Sequence, residues 1–212
     1  MRGLPAAVTE LRTDEDTRKQ VEERLESFRT FKEKEEDEWF SELCFCLLAA
    51  NAKGATAAKI QEELGKEKLL TLDKEELSQT IRGYGHRFHN TKASYIAGAR
   101  KHEDLKETIT GLAKEDSKKA RDWLAKNIKG IGMKEASHYL RNTGHDGVAI
   151  IDRHVKALME EQGHIRTNSK ALTPTRYLAL EKTFTELARK AGMTVAEFDL
   201  YCWRLKAGTV LK

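Results

Sequence analysis

Apolar positions recur three or four residues apart along most of this chain and almost nowhere alternate. Val21, Leu25, Phe28 and Phe31 mark one face of a highly charged segment, the spacing of an amphipathic helix. Trp39–Ala50 is apolar on nearly every face, which predicts a helix buried all round. Asp73 with Glu76 predicts a capping box at the start of a short helix that ends before Gly83. Asn90–Arg100 and Ser117–Asn127 read as two more helices, the second with Ala120, Trp123 and Leu124 inward. Thr173-Pro174 sets proline at the first position of a helix that stops near Gly192. Thr194 with Glu197 predicts a second capping box, on a helix closed by Gly208. No run of four or more residues shows clean apolar–polar alternation between turn signals, and prolines number only 2. About ten helices with short connections, no repeat and no low-complexity linker predict an all-α protein.

Composition narrows this picture without deciding it. A chain of 212 residues is long enough for a sizeable core, as one domain or as two packed lobes. Lys and Arg exceed Asp and Glu by 38 to 34, so any basic face must be local. No stretch approaches the length of uncharged apolar chain that a membrane span needs, so no membrane partner is expected. The first residues, Met1 to Val8, are too short an apolar start for a signal peptide and are soon followed by dense charge. Cys44 and Cys46 lie two apart on a helix, so their side chains diverge, and Cys202 stands alone. All three read as buried thiols in a soluble protein of a reducing cytoplasm. The 7 histidines are scattered without metal-ligand spacing, and no metal site is expected.

Chemistry concentrates in Leu124–Asn142, read together with Asp152. Ile128-Lys129-Gly130-Ile131-Gly132 joins two helical segments, and Ala136 follows four residues after the second glycine. Glycines permit a tight turn, a small Ala136 permits close helix packing, and the amides opening the second helix can bind phosphate oxygens. An ordinary helix–helix turn uses the same residues, but the full apolar-x-Gly-apolar-Gly-x-x-x-Ala pattern favours a grip on a DNA backbone. Lys126 and Lys129 flank the turn, which suits nearby phosphates.

Lys134 and Asp152 carry the reaction hypothesis. An amine attacking the anomeric carbon of a deoxyribose yields a Schiff base, from which the 3′ phosphate can be eliminated. The amine must be neutral to attack, which partial burial, a helix N-terminus or the nearby Lys129 would favour. Breaking the glycosidic bond builds positive charge on the sugar, which a close carboxylate stabilises. Alone, Lys134 reads equally as a solvated helix lysine and Asp152 as an N-cap for Arg153–Gln162. Asp152 emerges, however, from the apolar run Val148-Ala149-Ile150-Ile151, and His154 stands two residues on as a structural hydrogen-bonder.

The chain resembles the helix-hairpin-helix DNA glycosylase superfamily. Its bifunctional members end the hairpin in Gly-apolar-Gly-x-Lys and follow it with apolar-Asp-x-His, matched here by Ile151-Asp152-Arg153-His154. Trp39 to Asn51 is similar to the family's early core helix, and Gly83 to Ala93 to the segment before the helix leading toward the hairpin. Length and the ending from Asp199 to Lys212 look most like the archaeal type 2 8-oxoguanine DNA glycosylases. The match covers most of residues 39–212. It implies two helical lobes with an active-site cleft between them: 52–142, ending in the helix-hairpin-helix at about 117–142, and 1–51 with 143–212. Endonuclease III and the adenine glycosylase usually carry four C-terminal cysteines for an iron–sulfur cluster, and here only Cys202 lies in that region.

What the resemblance implies is a bifunctional DNA glycosylase and AP lyase acting on 8-oxoguanine in double-stranded DNA. It would be a cytoplasmic, nucleoid-associated monomer without an organic cofactor. Lys134 would attack the sugar and Asp152 would assist departure of the base. Lys129, Gly130 and Gly132 would hold the backbone, with a monovalent cation allowed at the hairpin carbonyls. Phe88 and Trp203 would form the walls around a flipped purine, and the terminal Lys212 would close its pocket. Asp199, four residues before Trp203 and so on the same helix face, could accept hydrogen bonds from a guanine edge. Phe88 and Trp203 also read as core aromatics and Asp199 as a surface acid. Two alternatives stay open: an oxidised-pyrimidine glycosylase of endonuclease III type lacking the cluster, and a non-catalytic helix-hairpin-helix module. The joint presence of Lys134 and Asp152 speaks against the module, since binding alone requires neither.

Overall fold

A computed structural model describes residues 3–166 and 172–208, and every regular element among them is helical. The chain divides into two compact units, residues 32–143 and residues 1–31 with 144–212. The middle unit is built on α3 (Glu36–Ala49), in which every residue from Trp39 to Ala49 is buried. Four helices of the same unit surround it: α4 (Gly54–Thr71), α6 (His89–Ala99), α7 (Leu105–Glu115) and α9 (Met133–Asn142). α5 (Lys74–Gly83) packs on α4 and α6, and α8 (Ser117–Asn127) joins α7 to α9. Full burial of each large apolar side chain is worth roughly 1.5–3 kcal/mol, so an all-round apolar helix belongs where partners cover every face.

That requirement moves a boundary. Sequence resemblance placed residues up to 51 with the terminal segments, whereas the division falls between residues 31 and 32. α3 takes its partners from the middle of the chain, and it therefore groups with them. Polar ties reinforce the arrangement. Tyr139 Oη donates to Trp39 O at 3.2 Å, and Asn142 Nδ2 donates to the buried Glu42 Oε1 at 2.6 Å, fastening α9 to α3.

In the other unit, α12 (Val195–Ala207) packs with α1 (Leu4–Leu11), α2 (Glu15–Thr30), α10 (Arg153–Glu161) and α11 (Pro174–Lys190). Its apolar run Val148–Ile151 is buried and lies outside any helix. Such a run needs partners for its peptide groups, and α11 supplies them. Ala149 N donates to Glu181 Oε1 at 2.9 Å, Tyr177 Oη donates to Ala149 O, and Ile151 N donates to Tyr177 Oη at 3.2 Å.

Two local expectations separate. Asp73 and Glu76 form the full capping box, with Oδ1 of Asp73 accepting from Glu75 N and Glu76 N and Glu76 Oε2 accepting from Asp73 N. Thr194 caps α12 by accepting from Glu197 N at 3.2 Å, but the Glu197 carboxylate pairs with Arg12 Nη2 at 3.3 Å. The second box is therefore half made, because α1 offers its glutamate a cation. The three cysteines are buried and free, and burial pushes the Cys44 and Cys202 thiols up. No helix among the described residues is long and apolar enough to cross a membrane.

Candidate active site on a helical hairpin

α8 ends at Asn127, and the chain turns through Ile128 to Gly132 into α9. Buried Ile128 and Ile131 pin the turn to the core, and Ile131 N donates to Ile128 O at 3.1 Å. The two glycines serve different ends. Gly130 has φ +97°, a left-handed backbone that side chains resist, and a Cβ there would lie 2.2 Å from Tyr95 Cδ2 of α6. Gly132 has φ −102°, which any residue adopts, and a Cβ there would meet only Glu135 Oε2, at 3.5 Å. Gly130 makes the turn; Gly132 keeps the start of α9 bare.

That start is exposed at Gly132, which as N-cap offers no side chain to the first amides. Lys129 is exposed beside it, its Nζ 5.9 Å from the centroid of the Tyr95 ring. Ala136 is fully buried on α9, which packs on α8. Lys134 is the second residue of α9. Its side chain is about a third exposed, with Nζ 3.2 Å from Glu135 Oε1. Lys92 on α6, 4% exposed, lies within electrostatic reach of both. Burial draws the Lys92 ammonium below its ordinary range; Glu135 opposes that shift and Lys134 adds to it. Neither Glu135 nor Lys92 stood out in the sequence, since a charged pair on a charged helix is common and the α6 lysine has no motif of its own.

Phe88 sits at the N-cap of α6, half exposed, with the Arg87 guanidinium 4.6 Å above its ring. A histidine two residues earlier fixes it. His86 is buried, its Nε2 3.0 Å from Leu48 O while its Nδ1 accepts from Phe88 N at 3.2 Å. Those partners assign the proton to Nε2. Phe88 is thus an anchored surface aromatic and not part of the core.

The remaining candidates lie in the other unit. Asp152 is half-buried and is the N-cap of α10, its Oδ1 accepting from His154 N at 2.8 Å and Val155 N at 2.7 Å. One oxygen is thus committed to the helix. The second has no hydrogen bond to any described group. His154 accepts from Arg153 Nε at 3.1 Å, and its ring lies 5.2 Å from that of Trp203, which is half-buried. Asp199 is 1% exposed and adds to the effect of burial in raising the Cys202 thiol pKa, so it is an interior acid and not a surface one. Lys212 lies outside the described residues.

Among the described residues no cluster of His, Cys, Asp and Glu could hold a metal ion. The hairpin offers a different donor set. Ile128 O is taken by Ile131 N and Gly132 O by Ala136 N, which leaves the carbonyls of Lys129, Gly130 and Ile131. Neutral oxygens alone fit a monovalent ion better than a divalent one.

The family profile described as 8-oxoguanine DNA glycosylase matches residues 21–193. An 8-oxoguanine DNA glycosylase/AP lyase of Methanocaldococcus jannaschii is 42% identical over 192 residues, covering 91% of each chain. A protein of the same description from Thermotoga maritima is 39% identical over 202 residues, 95% of this chain and 96% of that one. The crystal structure of the Methanocaldococcus jannaschii 8-oxoguanine glycosylase/lyase in complex with 15mer DNA containing 8-oxoguanine superposes with TM-score 0.94. It is 40% identical and covers 99% of both chains.

Proposed function

The chain belongs to the 8-oxoguanine DNA glycosylase family, and we propose that it excises 8-oxoguanine from duplex DNA with Lys134 as nucleophile and Asp152 as the carboxylate that aids base departure. The observation that carries the assignment is an amine near the bare N-terminus of α9, on a turn that only glycine can make. The uncapped amides of Met133 to Glu135 would donate to phosphate oxygens without reading sequence, with Lys129 adding charge.

In the first step the neutral Lys134 amine attacks C1′ as the glycosidic bond breaks, and the base leaves with the bonding electrons and takes up a proton. Asp152 stabilises the positive charge that builds on the sugar, through the oxygen not committed to the α10 cap. The sugar ring then opens to an iminium at Lys134. Loss of a C2′ proton expels the 3′ phosphate, and water hydrolyses the unsaturated imine to release the lysine. A monovalent cation, if held by the carbonyls of Lys129, Gly130 and Ile131, would supply charge to a neighbouring phosphate. The flipped purine is assigned to Phe88 and Trp203 as stacking faces, with Asp199 and Lys212 at its edge.

Borohydride trapping tests this directly. A duplex carrying 8-oxoguanine should give a covalent adduct that Lys134→Gln abolishes while duplex binding persists. No adduct would refute the lyase; preferential trapping on an oxidised pyrimidine would name the other lesion class. An adduct surviving Lys134→Gln would move the nucleophile, with Lys129 the next candidate.

A further inference from the structure

Lys92 is a lysine in an unusual place. It is the fourth residue of α6 and 4% exposed, where lysines are rare without a partner. Tyr95, one turn further on the same face, touches Gly130 so closely that no Cβ fits between them. That face of α6 therefore lies against the hairpin. Lys92 shares that face, within electrostatic range of the Glu135 carboxylate and the Lys134 ammonium but ion-paired with neither. No described group accepts a hydrogen bond from its side chain. Glu135 holds Lys134 Nζ at 3.2 Å, with the two side chains 15% and 31% exposed. One carboxylate thus lies within electrostatic range of two amines that differ in exposure: Lys92 is 4% exposed, and the Lys134 side chain is 31% exposed.

A lysine paired with a carboxylate is a poor nucleophile, because its lone pair carries a proton and its chain is tethered. It must leave Glu135 to reach a sugar, and a half-buried carboxylate left alone would pull it back. We propose that Lys92 is a positioning residue whose ammonium takes up the Glu135 carboxylate when Lys134 departs, freeing Lys134 for attack. This rests on Lys134 being the nucleophile. Lys92 touches no substrate; it acts only through Glu135.

Single-turnover borohydride trapping of the full chain on an 8-oxoguanine duplex tests the proposal. Lys92→Met, which keeps the buried stem and removes the charge, should slow trapping by about tenfold, the effect of one charge pair at intermediate dielectric. Duplex affinity should not change. Glu135→Gln should trap faster than the unmodified protein, because nothing then holds Lys134. The double variant should return to the Glu135→Gln rate, since with no carboxylate to restrain there is nothing for Lys92 to do. A double variant as slow as Lys92→Met would show a structural role and overturn the proposal. So would an unmodified rate in Lys92→Met. If Lys92→Met does not fold, Glu135→Gln decides alone, and slower trapping in it overturns the proposal. Trapping that survives Lys134→Gln is a separate failure, that of the nucleophile assignment itself.

Discussion

α9 and α10 both begin at a residue with extended backbone, and they treat their first amides in opposite ways. α9 starts at Gly132, which has no side chain to offer, so its first amides are uncapped. α10 starts at Asp152, whose Oδ1 accepts from two of its own amides. A helix N-terminus carries partial positive charge, and something anionic settles there. In α10 the chain provides that anion itself. In α9 it withholds one, which leaves the position for an anion from outside, such as a DNA phosphate. The same physics yields a gripping element in one place and an oriented carboxylate in the other. Asp152 is held by its cap bonds at a fixed angle, an advantage for a group meant to meet developing charge without reorganising.

Two substitutions at one position show whether Asp152 is more than a cap. Asparagine caps helices about as well as aspartate, so Asp152→Asn should melt within a degree or two of the unmodified protein. Excision of 8-oxoguanine should nevertheless slow by about 100-fold, the order seen when one group stabilising a transition state is lost. Asp152→Ala should lose the same rate and, in addition, about 1 kcal/mol of stability with the cap. Single-turnover excision beside thermal melting separates the two effects. An Asp152→Asn enzyme at full speed would reduce Asp152 to its structural duty.

The hairpin glycines test the other half. Gly130→Ala must force a left-handed backbone and drive a methyl into Tyr95, a strain of roughly 1–3 kcal/mol. Gly132→Ala meets ordinary space and backbone, so denaturant unfolding should hardly change. Its methyl would instead crowd the bare amides, so duplex binding should weaken alike on damaged and undamaged DNA. Stability lost at 132 and unchanged at 130 would reverse the roles assigned to the two positions.

Legibility in the sequence followed the strength of local signals. The buried α3 and the amphipathic α2 were plain from periodicity, and the Asp73 box from two residues at fixed spacing. α1, α4 and α7 were not singled out, and α4 is broken by non-helical backbone at Gly65. The unit boundary was misplaced because chain order says nothing about which neighbours cover an all-apolar helix. At the site, Lys134, Gly130, Gly132 and Asp152 lay within two compact motifs. Lys92, Tyr95, Glu135 and His86 owe their places to where α6 lies against the hairpin turn or to what a loop encloses, and no spacing along the chain announces that. The half-made box at Thr194 shows the same limit, because Arg12 is far away in sequence.

Lys92, buried on α6, carries a smaller and pH-dependent effect. Burial, and secondarily the Lys134 ammonium, lower the Lys92 pKa in the folded protein below its ordinary 10.5, with Glu135 opposing. A lysine with a depressed folded pKa binds fewer protons folded than unfolded throughout the interval between that lowered value and 10.5. Its contribution to stability therefore improves as pH rises through that interval and is unfavourable below it. Tyrosines and cysteines titrate nearby, so the useful quantity is the difference in unfolding free energy between the unmodified protein and Lys92→Met, followed from neutral to alkaline pH. Lys92→Met should be the more stable protein at neutral pH, with the gap closing as the medium becomes alkaline. A gap that stayed constant would mean that Lys92 keeps its ordinary affinity for protons. The open end of α9 would then owe its character to Gly132 and Glu135 alone.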